Sequence, residues 1–211
     1  RQIAQELECN FNTSGETVID PDCMEWVLST IREPKYRTGF DRNFWIFEEF
    51  DPASSYLLVA DVSRGDGADF STFHIIKLET LEIIGEYQGK PTIDMFANML
   101  NSVGREFGNC MVVVGFTVLG KLNESKYPNL YHSIKSTHEY VDQHTAEHLN
   151  SSVPGFTTSM KTRPLIIAKL EEFIRNKLIT IYSSRTVNEM KTFIWRNGRP
   201  EAMKGYNDDL I

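Results

Sequence analysis

The apolar pattern changes period along this chain, and the changes mark out its elements. Apolar residues crowd Tyr56-Leu57-Leu58-Val59-Ala60 and stop at Asp61, which predicts a strand at about Tyr56 to Ser63. Gly65 and Gly67 supply a turn, and a second strand, Phe70 to Leu78, runs back along the first. A third strand, Glu82 to Tyr87, completes an antiparallel meander. Pro91 then opens a helix to about Phe107, in which Ile93, Phe96, Met99, Leu100 and Val103 recur at helical spacing. Met111 to Val114 reads as a short buried strand returning parallel to the first, followed by a helix over Phe116 to Ser125 and a strand near Leu130 to Ser133.

Residues 136 to 160 are polar and turn-rich. Beyond them Pro164 sits in the first turn of a helix running to Asn176, with Thr162 as its cap. A strand at Thr180 to Tyr182 and a helix at Val187 to Trp195 follow. Strands first, then alternating helices and strands, predict an α/β fold built on a mixed sheet with helices on both faces. Residues 1–50 read as a lead-in, with a short helix at Asp22 to Ile31 and an aromatic strand near Phe44 to Phe47; the domain itself is expected over 51–211.

With 41% hydrophobic and 24% charged residues, the 211-residue chain can fill one large core. No apolar run approaches the ~18 residues of a membrane span. It begins at Arg1 with a polar, acidic stretch, and ends as if a helix were starting at Leu210-Ile211. The expectation is a domain cut from a longer protein, truncated within its last helix. Cys9, Cys23 and Cys110 are odd in number and far apart, which supports neither a disulfide framework nor a zinc ribbon.

The net charge of −7 argues mildly against a nucleic-acid partner, but its distribution does not. Residues 161 to 204 hold ten Lys and Arg against four acids, among them Lys161, Arg163, Lys169, Arg196 and Lys204. A basic surface of this kind, beside an acidic pocket, suits a phosphate backbone at a metal site.

Three acidic positions carry the candidate chemistry. Asp61 closes an apolar strand, where a carboxylate costs several kcal/mol unless it is paired, metal-bound or at the open end of the sheet. Asp69 starts the return strand, so the hairpin brings it back towards Asp61. Asp208 and Asp209 form a second cluster after Gly205-Tyr206-Asn207. Carboxylate oxygens at strand and turn ends suit Mg²⁺ or Mn²⁺, which stabilise both the attacking and leaving oxygens of an in-line displacement. Turn chemistry at Asp61 and helix capping at Asp208 and Asp209 remain the bland alternatives.

A rival constellation is His144-Thr145-Ala146-Glu147-His148, the HxxEH order of an inverted zinc metalloprotease motif. It lacks the apolar face such a helix needs, and a solvated polar helix accounts for it better. No GK[ST] follows Gly65 and Gly67, so no Walker loop is present.

Several stretches together resemble the nuclease domain of tailed-phage large terminases, the DNA-packaging motor-nucleases, and most closely those of T-even-like phages. They are Asn12 to Ile19, Leu58 to Asp69, Val153 to Phe156 with Thr162-Arg163-Pro164, Phe193 to Gly198, and Gly205 to Leu210. The resemblance implies an RNase H-like fold and metal-dependent endonuclease activity on double-stranded concatemeric DNA. It implies Asp61 as first catalytic acid, Asp69 as an accessory acid, and Asp208 or Asp209 as the last acidic ligand. It also implies a preceding ATPase domain, portal and small-subunit partners, no membrane, and work at the procapsid in the host cytoplasm. A non-catalytic module docking on DNA or portal is the alternative.

One departure stands out. The family carries a catalytic Glu at the end of the strand corresponding to Met111–Val114, and here Val114 is followed directly by Gly115-Phe116-Thr117. Either this copy is inactivated, or a segment is missing there from this sequence; the expectation is the second, with the segment beginning with Glu and a Val114-to-Gly115 step well beyond ~3.8 Å.

Overall fold

The computed structural model describes residues 17–39, 41–63, 69–134, 152–155 and 162–211. Its centre is strand β3 (Tyr56–Asp61), whose even residues are buried on one face while Leu57, Val59 and Asp61 lie on the other. β3 pairs antiparallel with β4 (Ser71–Lys77), and β4 with β5 (Glu82–Gly89), as the meander predicts. On its other edge β3 pairs parallel with β6 (Met111–Val114), Ala60 opposite Val114. β1 (Tyr36–Thr38) and β2 (Phe44–Ile46) extend the sheet beyond β5, giving the order β1-β2-β5-β4-β3-β6, with short β9 (Thr180–Ile181) running parallel to β5. From residue 17 onward, then, the stretch read as a lead-in is built into the fold.

Two helix layers cover the two faces. On one, Leu58, Ala60, Phe73, Ile75 and Tyr87 pack against α2 (Ile93–Glu106) and α3 (Phe116–Glu124) through Phe96, Leu100, Val118 and Leu122. Phe96, Leu100, Val118 and Leu122 are fully buried, and each contributes about 1.5–3 kcal/mol. On the other face, Ile83 and Ile181 meet α1 (Pro21–Thr30), α4 (Thr162–Arg175) and α5 (Ser184–Lys191) through Met24, Val27, Ile167, Ile174, Val187 and Met190. A bulge between Ile75 and Ile76 shifts the β4–β5 register. This is the mixed sheet with helices on both faces that the pattern predicts, and the topology is RNase H-like. β7 (His132–Ile134) and β8 (Ser152–Pro154) form a small separate ribbon.

One expectation needs correction. The helix read at Val187 to Trp195 is two elements: α5 ends at Lys191, and β10 (Phe193–Arg196) pairs with β11 (Arg199–Ala202). Asn197 (φ 52°) and Gly198 (φ 74°) make the tight connection, the Asn-Gly hairpin signal that a helical reading of the aromatics overrode. β6 passes to α3 through Gly115 alone, in ordinary extended conformation (φ −67°, ψ 161°), and no acid stands at this strand end. Asp208 to Ile211 form a turn, with the Ile211 N–H donating to the Asp208 carbonyl (3.2 Å).

Candidate active site

Asp61 lies at the carboxyl end of β3, opposite Thr72 of β4, where the sheet opens into a pocket of about 580 Å³. Asp208 and Asp209 reach the same pocket from the C-terminal segment, and Arg163 reaches it from the first turn of α4. Val114 and Gly115 line its far side. Residues 147 apart in sequence, Asp61 and Asp208, therefore share one pocket, as the sequence reading anticipates.

Asp209 is fixed from both sides. The Phe70 N–H donates to its Oδ2 (3.1 Å), and the Thr72 hydroxyl donates to its carbonyl. The next residue is held as firmly: the Leu210 N–H donates to Glu189 Oε2 (2.8 Å), while Gln88 Nε2 donates to Glu189 Oε1 (2.8 Å). Glu189 lies on α5 and Gln88 on β5, so this one carboxyl ties the acidic segment to both helix and sheet. Sequence reasoning missed Glu189; the only available signal was an acid on the buried face of a short helix.

The electrostatics are those of a crowded acidic site. Burial raises the Asp61 pKa, against the Val62 N–H bond to its Oδ1 and the nearby Arg163; Asp208 and Asp69 push it further up. Burial likewise raises Asp209, with Asp69, Asp208 and Asp61 adding to the effect. Glu189 is pushed up to about 7, chiefly by burial and then by the charge of Asp209. Carboxyls that burial and repulsion drive towards protonation are groups that a cation would stabilise. Asp69 thus joins the cluster through its field on Asp61 and Asp209.

Arg163 supplies the counter-charge. Its Nη2 pairs with Asp208 Oδ2, and its Nε donates to the Pro200 carbonyl of β11 (3.3 Å). Among the described residues no three acids or histidines converge tightly enough to chelate an ion, with Asp208 drawn towards Arg163 and Asp209 towards Phe70. In kind, the donors fit a hard divalent cation, all being carboxylate oxygens in a pocket.

The other basic candidates lie apart from these acids. Lys169 pairs with Glu172 on α4 (2.8 Å), Arg196 pairs with Glu201 across the β10–β11 ribbon (3.2 Å), and Lys204 is exposed in the turn before the acidic segment. Lys161, the turn residues 64–68 and the His144–His148 motif lie outside the described residues.

No family model matches the sequence. Among solved structures, the large terminase nuclease of thermophilic phage G20c with bound magnesium superposes at a TM-score of 0.66 over 92% of each chain, at 16% identity. The same nuclease with bound zinc gives 0.59 at 16% identity, covering 90% of this chain and 92% of that one. The large terminase nuclease domain of Thermus phage P74-26 gives 0.63 over 89% of each chain, also at 16% identity. The chain has the large terminase nuclease fold. At this identity the likeness carries the architecture of the aligned part alone, and the chemistry has to come from the pocket. No helix among the described residues is long and apolar enough to cross a membrane.

Proposed function

We propose that this domain is a divalent-metal-dependent endodeoxyribonuclease that cuts double-stranded, concatemeric DNA during phage genome packaging. One observation carries the reading: Asp61, Asp208 and Asp209 meet in one pocket at the carboxyl end of the central strand. The fold supports it, since solved structures of that fold include nucleases with magnesium, cobalt and zinc bound.

In this reading Asp61 and Asp209, with Asp208 and Asp69 beside them, would hold Mg²⁺ or Mn²⁺. Once bound, the ion supplies charge stabilisation for the attacking and leaving oxygens of the phosphodiester. Phe70, Thr72 and Glu189 keep the Asp209 segment in place over the sheet. Arg163 is the cation within the pocket that can turn from Asp208 to a DNA phosphate. Lys161, Lys169, Arg196 and Lys204 would add contacts to the DNA backbone without sequence preference. The preceding ATPase domain, portal and small subunit are its proposed partners, in the host cytoplasm.

A second reading has its own observation. With no acid after Val114 and with Asp208 neutralised by Arg163, the domain could serve as a non-catalytic module gripping DNA or a portal. Incubation with supercoiled plasmid and Mg²⁺ or Mn²⁺, against an EDTA control, separates the two. Metal-dependent nicking and linearisation support the nuclease, and inertness with retained DNA binding supports the module.

A further inference from the structure

Behind the acidic pocket lies a buried ionic cluster that the proposed chemistry does not use. Glu86 of β5 is completely buried, yet four side chains approach its carboxylate. Ser183 Oγ and Arg185 Nε donate to Oε1 (2.7 Å each), and the Thr186 hydroxyl donates to Oε2. The fourth is His74 of β4, whose Nε2 lies 3.4 Å from Glu86 Oε2 and 3.4 Å from Thr186 Oγ1.

These contacts select one imidazole tautomer. A carboxylate only accepts hydrogen bonds, and the single Thr186 hydroxyl proton is directed at Glu86. Both neighbours of Nε2 are therefore acceptors, so Nε2 carries the proton. His74 is paired opposite Val59 and lines the same pocket as Asp61, Asp209 and Arg163; with Nε2 protonated, Nδ1 is the unprotonated nitrogen of the neutral ring. An imidazole that lines a reaction site, with one nitrogen fixed on a buried carboxylate and the other able to accept a proton, is equipped for general base chemistry.

We propose that His74, oriented by Glu86 and Thr186, accepts the proton of the attacking water in this pocket. The proposal rests on the nuclease reading above. The water O–H bond breaks and its proton passes to Nδ1. The freed electron pair forms the new O–P bond as the P–O3′ bond breaks. The leaving 3′ oxygen keeps that bond's electron pair and takes a proton from solvent, and His74 later returns its own proton to solvent. The charged groups around the ring are Glu86 of β5 and Arg185 of α5 behind it, with Asp61 of β3, Asp209 of the C-terminal segment and Arg163 of α4 sharing the pocket.

Two measurements on the intact domain test this. Nitrogen-15 NMR of the imidazole, without metal or DNA, reads the tautomer directly. The expected result is a proton on Nε2 in the neutral ring and loss of that preference in Glu86→Gln; a neutral ring protonated on Nδ1 overturns the proposal. Plasmid cleavage as a function of pH then reads the role. His74→Gln is expected to cut on the order of 10²-fold more slowly, to lose the acid limb of the rate profile, and to retain its melting temperature and Mn²⁺ affinity. Added imidazole should restore part of the rate in His74→Ala. Wild-type rates with an unchanged pH profile in His74→Gln overturn the role. Inertness of the unsubstituted domain would instead remove the nuclease reading, while the tautomer remained readable.

Discussion

Replacing Glu189 by Gln should change the sign of its effect on stability as pH rises. The carboxyl accepts from Leu210 and from Gln88, and its pKa is about 7 in the fold against 4.5 when unperturbed. A raised carboxyl pKa means that the folded state prefers the protonated form. The resulting stability is fully present below pH 4.5 and is lost as pH climbs through about 7. A displacement of that size would be worth roughly 3 kcal/mol for a fully enclosed group, and partial exposure reduces it to about 1–2 kcal/mol. Gln keeps an oxygen for the Leu210 N–H but turns an amide towards the Gln88 amide, forfeiting one hydrogen bond worth about 1 kcal/mol. Glu189→Gln should therefore be about 1 kcal/mol less stable than wild type near pH 4.5, and equal or more stable above pH 7. Urea unfolding of both proteins at half-unit steps from pH 4.5 to 8, in EDTA, measures the difference. A difference independent of pH, or one that grows against the variant as pH rises, refutes the assignment.

Other substitutions probe the neighbouring groups. Asp61→Asn should abolish plasmid cleavage, while its melting temperature in EDTA holds or rises as a repelled charge is removed. Glu86→Gln should destabilise by about 3–5 kcal/mol, because it breaks a buried ion pair and leaves Arg185 uncompensated. DNA binding should weaken steeply with salt, and charge reversal at Lys161 and Arg163 should weaken it about equally on unrelated sequences in filter-binding assays. Gly115→Glu should strengthen Mn²⁺ binding. Gly115 lines the pocket in a conformation open to any residue, and a Cβ there meets nothing within 4 Å among the described residues, so the new carboxylate would stand beside Asp61.

The sheet was legible because its strands are short apolar-rich runs bounded by turn residues; β3, β4, β5 and β6 all lie close to where those runs put them. The β10–β11 ribbon was hidden because Phe193, Ile194 and Trp195 follow α5 without an intervening Gly or Pro, and only the Asn-Gly turn betrays them. β1 escaped because its three residues are all exposed and show no alternation. In the site, Asp61 was legible as a charge ending an apolar strand, and Asp208 and Asp209 as a cluster. Glu86 and His74 were not, since a single polar residue in a strand gives no hint that helix α5 will cover it with Ser183, Arg185 and Thr186. Glu189 was invisible for the same reason, because its partners come from β5 and the C-terminal segment.

The central claim is that the acids brought together by β3 and the C-terminal segment hold a catalytic divalent ion. Electron paramagnetic resonance titration of Mn²⁺ into the wild-type domain, Asp61→Asn and Asp209→Asn tests it without reference to cutting. The account predicts saturable binding to wild type and a loss of at least about tenfold in affinity for each variant, since removing even an outer partner of a metal site commonly costs that much. Equal Mn²⁺ affinity in all three proteins would contradict it.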